Sequence, residues 1–456
     1  MQKLLIIIGL LMVSTPGWAQ TENLSDVRAP YQYFLDLFRT DNPRDHDRSL
    51  NYIEDNWDPS FEIYTLESLY FLTQPKSKLQ LLLLLQKNTG QNIAYDYNAW
   101  FEYLWNKQPT YTADYFDFKA ILHRSIDNRF SKYFLNRQDQ TKIRLDEVRW
   151  GGVKQDGIPP LRNPNMIEAR QAEYLDDDNI VFGISINGDA RAYPKRILAW
   201  HEMFTDAVGG VPVAGVYCTL CGTVILYKTE YNGQQFNFGT SGFLYRSNKL
   251  MYDAKTQSLW NTLWGQPVIG PLADQDIQLE YLNVVTTTWK QWKKLHPDTK
   301  VLSTDTGHRR DYGEGVAYRD YFATDELMFN IPKADRRLRN KQEILALRDP
   351  LNTDEVVAIS SRFLKRHKIY TLDFNGKKLT VFTDRSGAHR VYLTGDVNFK
   401  EYNNKDGAID EFGNYWTLKE DELINEFTGE SLAIMPAHNA FWFGFKAAFP
   451  NTKLIK

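Results

Sequence analysis

Cysteine is nearly absent from this sequence: 456 residues hold two, Cys218 and Cys221. That scarcity excludes a multi-disulfide scaffold and a zinc ribbon built on two cysteine pairs. Long basic runs are missing as well. The formal net charge is −3, and basic clusters such as Arg362 to Lys368 are short. The concentrated cationic face that releases counterions from nucleic acid is not there, so no nucleic-acid partner is expected. Beyond the N-terminus, the apolar run Leu79 to Leu85 is flanked by Lys78 and Lys87. It is too short for a membrane span and reads as a buried helix. Gly-x-Ser-x-Gly, Walker A and His-Glu-x-x-His strings do not occur, which removes three common enzyme signatures.

What remains is an ordinary globular mixture, 43% hydrophobic and 24% charged, long enough for two or three domains of roughly 150 residues. Aromatics reach 14%. They imply aromatic-rich cores or an aromatic cleft for sugars or apolar small molecules. At the N-terminus, Lys3 precedes the apolar run Leu4 to Val13, and Gly17-Trp18-Ala19 supplies small residues at the cleavage positions. This is a signal-peptide pattern with cleavage after Ala19. It predicts a periplasmic or secreted protein, with no transmembrane span in the mature chain. No cysteine follows the cleavage site, so no lipid anchor is indicated.

The spacing of apolar residues predicts an α+β chain: a helical N-terminal domain followed by two tandem β-rich units, each ending in an aromatic-rich helix. The divisions expected are 1–19 signal peptide, 20–145 helical, 146–305 first unit, 306–344 linker and 345–456 a degenerate second copy. Asp58-Pro59 is a helix-start signal, and Gln74-Pro75 ends the helix before it. His46 and His123, in the helical part, read as surface or core residues rather than ligands. Residues 179–186, Asn187-Gly188 and 190–193 read as a hairpin. Pro194 opens a helix carrying Ile197, Trp200, His201 and Phe204, which Gly209-Gly210 is expected to stop. Val211 to Tyr217 is a strand entering the Cys218-Thr219-Leu220-Cys221 turn. A second hairpin through Asn232-Gly233 would place Thr223 opposite Gly242 and bring Thr240 to Phe243 beside that turn.

The tandem reading rests on matched landmarks. Asp253 with Trp260 resembles Asp410 with Trp416, and Pro297 to Leu302 resembles Pro450 to Ile455. His201 with Gly209-Gly210 resembles His367 with Asn375-Gly376. That register puts Asp384 opposite Cys218 and Gly387 opposite Cys221. A rival register, matching Asn232-Gly233 to Asn375-Gly376, places Ser361 and Leu364 there instead. Either way one copy has no thiols.

Several strings resemble the DUF3179 family. They are Arg149-Trp150-Gly151-Gly152-Val153, Asp156-Gly157-Ile158-Pro159-Pro160, Arg191-Ala192-Tyr193-Pro194, Trp200-His201-Glu202-Met203, Tyr217-Cys218-Thr219-Leu220-Cys221-Gly222-Thr223 and Met251-Tyr252-Asp253 before Ser258-Leu259-Trp260. The resemblance covers about 146–305 closely and 340–456 more faintly. It implies no established activity. In that family the second cysteine position can hold Thr.

The cysteine turn admits three readings. Thiols at i and i+3 can share one soft cation, copper or zinc, with His201 as third ligand and an open position for chemistry. Geometry strains that set: an antiparallel helix on Val211 to Tyr217 leaves about 10 Å between His201 and the thiols. A thiol–disulfide redox pair is the second reading. The residues after Cys221 read as a strand, so no helix dipole lowers a thiol pKa, and Arg191, Lys195 or Arg246 would have to supply the field. The third is a structural pair within a non-catalytic envelope binding module. Ser241 and Asp253 are candidate catalytic groups, and Arg191, Trp260 and Trp264 candidate binding residues. The expected ligand is a small molecule or an envelope component, and the helical domain could hold a protein partner.

Overall fold

The computed structural model describes residues 28–38 and 42–456, so the expected signal peptide lies outside the described residues. Helices come first: Pro30–Asp36, Pro43–Asp55, Phe61–Phe71, Pro75–Thr89, Tyr97–Lys107 and Tyr115–Arg124. Proline opens three of them at the first turn, where its missing N–H costs nothing. Asp96 caps another by accepting from Ala99 N at 3.0 Å. The fold is α+β, and strands dominate the chain after these helices. No helix among the described residues is long and apolar enough to cross a membrane.

The helices do not form a separate core. Helix Phe61–Phe71 is buried on nearly every face. Its hydrophobic cluster runs without a break into Phe243, Tyr245, Leu250, Tyr252 and Ile269 of the first β unit. Inside it Glu67 accepts from Tyr115 Oη at 2.6 Å and pairs with buried Lys119, so neither charge is left alone. His46 and His123 are both buried, with His123 Nδ1 donating to Lys119 O at 2.8 Å.

The β part contains one architecture twice. In the first unit a sheet runs Val285–Thr288, Ile180–Ile186, Asp189–Pro194, Lys300–Leu302, with Met166–Glu168 at its edge. In the second it runs His438–Phe441, Glu343–Asp349, Asn352–Ser360, Lys453–Ile455. Each pairs its last chain segment in parallel, Val301 with Ala192 and Leu454 with Ala358. Each sends an indole-led helix, Trp289–Leu295 or Trp442–Ala448, into that parallel strand. A second sheet in each holds the hairpin carrying the special turn, and a third is a meander.

Two local expectations fail. The helix after Pro194 ends at His201, not at Gly209-Gly210. Glu202 takes φ 55°, a left-handed conformation that stops a helix, and Met203–Val208 becomes a strand. Gly209-Gly210 then turns a hairpin that pairs Met203 with Val216. The Asn232-Gly233 hairpin is also shorter than expected. Tyr231 pairs with Gln234 and Glu230 with Gln235, and then Phe238–Tyr245 leaves to pair with Val148–Trp150 and Asn248–Asp253 in another sheet. Thr223 faces Cys218, not Gly242.

Candidate functional site

The hairpin Val211–Cys218 and Thr223–Lys228 ends on the pair Cys218 and Thr223, so the two cysteines bracket its loop. Cys221 N donates to Cys218 O at 3.1 Å, which folds the loop back and lets the sulfurs join as a disulfide. Mostly hydrocarbon closes around it, with the Ser247 carbonyl oxygen 3.2 Å from Cys221 Sγ. Leu220, Leu244 and Tyr321 share its cluster, and Tyr318, Phe322 and Phe329 pack on top. Residues 318–329 thus lie over the turn as a strap, anchored where Tyr321 Oη donates to Leu220 O at 2.8 Å and Ser247 Oγ donates to Phe329 O at 2.6 Å. The second unit closes the other side: Phe441 N donates to Cys221 O at 2.7 Å. At Gly222 any Cβ would stand 2.8 Å from the Phe441 ring, so only glycine fits there.

The equivalent turn of the second unit keeps the fold and changes the fastening. Gly387 N donates to Asp384 O at 3.2 Å, as Cys221 does to Cys218. This is the register read from His201 and His367. Asp384 is fully buried, and its Oδ1 accepts from Ser386 N at 2.8 Å, Ser386 Oγ at 2.6 Å and Ala388 N at 3.1 Å. Arg390 reaches its other oxygen at 3.3 Å and pairs with Glu420 at 2.5 Å. A hydrogen-bonded carboxylate therefore occupies the place of the disulfide.

The three expected metal ligands are not brought together. Among the described residues no group of three or more His, Cys, Asp or Glu side chains is gathered to hold a metal ion. Both sulfurs are spent on each other. His201 Nδ1 donates to Pro159 O at 2.8 Å, and Nε2 faces Tyr312 Oη at 2.6 Å. The proton assignment that satisfies both bonds leaves no free lone pair on the ring. Burial lowers the His201 pKa to about 4, which keeps the ring neutral.

What stands beside the cysteines is Glu202. Tyr217 N donates to its carbonyl at 2.9 Å, its carboxylate pairs with Lys249 at 3.0 Å, and Tyr318 Oη donates to it at 3.2 Å. Lys249 is 5% exposed, and desolvation lowers its pKa against the opposing pull of Glu202. The Tyr217 hydroxyl nearby is buried without a partner. Glu202 lies within the string Trp200-His201-Glu202-Met203, so its sequence signal was present. Lys249 had none.

The other candidates sit elsewhere. Ser241 occupies an irregular stretch of its strand, donating to Leu250 O at 2.6 Å and accepting from Phe243 N at 3.0 Å. Asp253 accepts from Thr256 N at 2.7 Å, Thr256 Oγ1 at 2.6 Å and Trp260 Nε1 at 3.2 Å. Arg191 is held by Asp189 at 2.8 Å and Asp206 at 2.7 Å. Trp260 is fully buried in the core. Trp264 alone of these reaches an open hollow.

That hollow lies on the seam between the units. It holds about 300 Å³ and adjoins a larger groove of about 540 Å³. Both are lined by Gln278 from the first unit and Arg348, Asp349 and Pro350 from the second. The larger is walled by Tyr231, Leu279, Tyr281, Phe374, Leu393 and Met435. Behind Tyr281, its hydroxyl meets His438 Nδ1 at 2.5 Å, and burial holds that imidazole well below its ordinary pKa. Arg348 carries no sequence signal for this role, since it becomes part of a groove only when the units meet.

No curated protein and no solved structure matches this chain. A family model described as "Protein of unknown function (DUF3179)" matches residues 155–452.

Proposed function

The chain belongs to the DUF3179 family, whose function is unknown, and from that premise we propose that it is an exported, non-catalytic binding module for a small molecule. The ligand lies in the groove between the two β units, and the Cys218–Cys221 disulfide is a structural fastening. One observation carries this reading. The large groove is built from both units at once, with an aromatic and aliphatic wall and a few convergent polar groups, as ligand sites generally are. Its volume of about 540 Å³ suits a small organic molecule.

The second unit supports the structural role of the disulfide, because Asp384 holds the same turn there without sulfur. Hydrocarbon around the sulfurs supports it too. The N-terminal signal-peptide pattern and a disulfide fit an oxidising compartment together. The binding test is a thermal-shift screen of a small-molecule panel on the mature chain. A ligand found this way should keep its shift in Cys218→Ala/Cys221→Ala and lose it in Lys228→Trp, which crowds the groove wall. A shift that vanishes with the cysteines and survives Lys228→Trp would sink the reading. Intact mass of exported protein should begin at Gln20.

A further inference from the structure

Among the described residues Arg348 is a buried cation without a counter-charge. It is 3% exposed and sits in strand Glu343–Asp349 where the two hollows meet. Nη2 donates to Tyr227 Oη at 2.8 Å, and the guanidinium carbon lies 4.6 Å from the centre of the Tyr281 ring. Nε is buried with no partner. Among the described residues, Nη2 makes the one side-chain hydrogen bond of this guanidinium, and no carboxylate stands within ion-pair distance of it. Arg390, the other deeply buried arginine of the same unit, is clasped by Asp384 and Glu420. A charge removed from water without an opposite charge is strongly disfavoured, so Arg348 is placed for something that the described residues do not supply.

We infer that the groove binds a small organic monocarboxylate with an apolar body, its carboxylate held by Arg348 at the junction of the two hollows. This rests on the groove being the ligand site proposed above. A guanidinium offers a planar fork that matches a carboxylate. One uncompensated charge calls for one negative charge. The rim argues against a polyanion, because Glu230, Glu280 and Asp349 line the same groove as Lys228 and Lys377. The body of the ligand would lie on Leu279, Tyr281, Phe374, Leu393 and Met435.

The experiment is calorimetric titration of the full mature chain with octanoate and phenylacetate, against octanol and phenylethanol, and against inorganic phosphate. The acids should bind at least about tenfold more tightly than their alcohols, and phosphate should compete weakly. Acids and alcohols binding alike would overturn the carboxylate while leaving the groove as a ligand site. Phosphate binding as tightly as the acids would overturn the apolar body. No binding by any of them below about 1 mM would overturn this inference, and an empty thermal-shift screen would then remove the groove as well. Arg348→Met should cost the acids at least about tenfold in affinity and leave the alcohols unchanged. Its melting temperature without ligand should not fall, since Tyr227 Oη keeps its bond to Thr262 O at 2.8 Å. Should that variant not fold, the contrast between acids and alcohols on the native chain decides alone.

Discussion

Trp260 Nε1 donates to Asp253 Oδ2 across 3.2 Å, and the pair recurs in the second unit as Trp416 Nε1 to Asp410 Oδ2 at 3.0 Å. All four residues are buried. In each unit the carboxylate also caps the loop between two meander strands, through Thr256 N in one and Phe412 N and Asn414 N in the other. The bond gives a buried indole N–H its partner and sets the loop at once. The pair is an architectural element common to both units, and it gives Asp253 a structural job.

Asp253→Ala and Asp410→Ala should each destabilise the chain by about 2 to 3 kcal/mol, since each leaves a buried indole N–H and loop amides unpaired. Urea denaturation measures this. The two losses should add, because the residues belong to separate sheets. Unchanged urea stability in Asp253→Ala would mean that the carboxylate has no such structural job.

Free-thiol titration under denaturing conditions should find no thiol before reductant and two after it, as the disulfide requires. Cys218→Ala/Cys221→Ala should cost about 2 kcal/mol, the loop-closure entropy of so short a ring. Alanine is the fitting replacement, because the surroundings are apolar.

The strap over the disulfide should control its reduction. Tyr321→Ala removes the bond to Leu220 O and part of the aromatic cover. Losing about 1.4 kcal/mol of closure makes the open form about tenfold more populated, so reduction by a phosphine should quicken at least about tenfold. An unchanged rate would mean that the sulfurs are reached by another path.

Acid should destabilise the fold between about pH 6.5 and pH 4. Burial lowers the His123 and His201 pKa values to about 4, and the His389 pKa to about 3. The unfolded chain then binds more protons than the folded one in this range, so stability falls as pH drops through it. Asp146 works the other way: burial raises its pKa to about 6, so its contribution falls as pH rises from about 4 to 6. Burial holds His438 well below its ordinary value too, so four histidines outweigh one carboxyl, and a pH series of urea midpoints should decline towards acid. His123→Gln should flatten that decline.

The landmarks that sequence made legible are those with short-range causes. Asn187-Gly188 fixed a hairpin because both residues accept positive φ, at 49° and 81°. The match of Asp253-Trp260 with Asp410-Trp416 pointed to an architecture that occurs twice. The register through His201 and His367 placed Asp384 opposite Cys218 and Gly387 opposite Cys221, the same positions that carry the matching turn bonds. Short-range cues misled where one residue broke the pattern. Ile197, Trp200, His201 and Phe204 repeat at helical spacing, yet Glu202 at φ 55° divides them between a helix and a strand.

Local periodicity, turn chemistry and composition therefore determined the α+β class, the paired landmarks and the cysteine turn, because each acts over a few neighbouring residues. Tertiary structure decided the rest. Arg348 and Gln278 are far apart along the chain and line one groove only because two sheets pack along a seam. The sulfurs became a covered disulfide only because the strap and Phe441 arrive from distant segments. Whether a polar group is paired, exposed or stranded depends on what packs against it, and that is settled when the units close on each other.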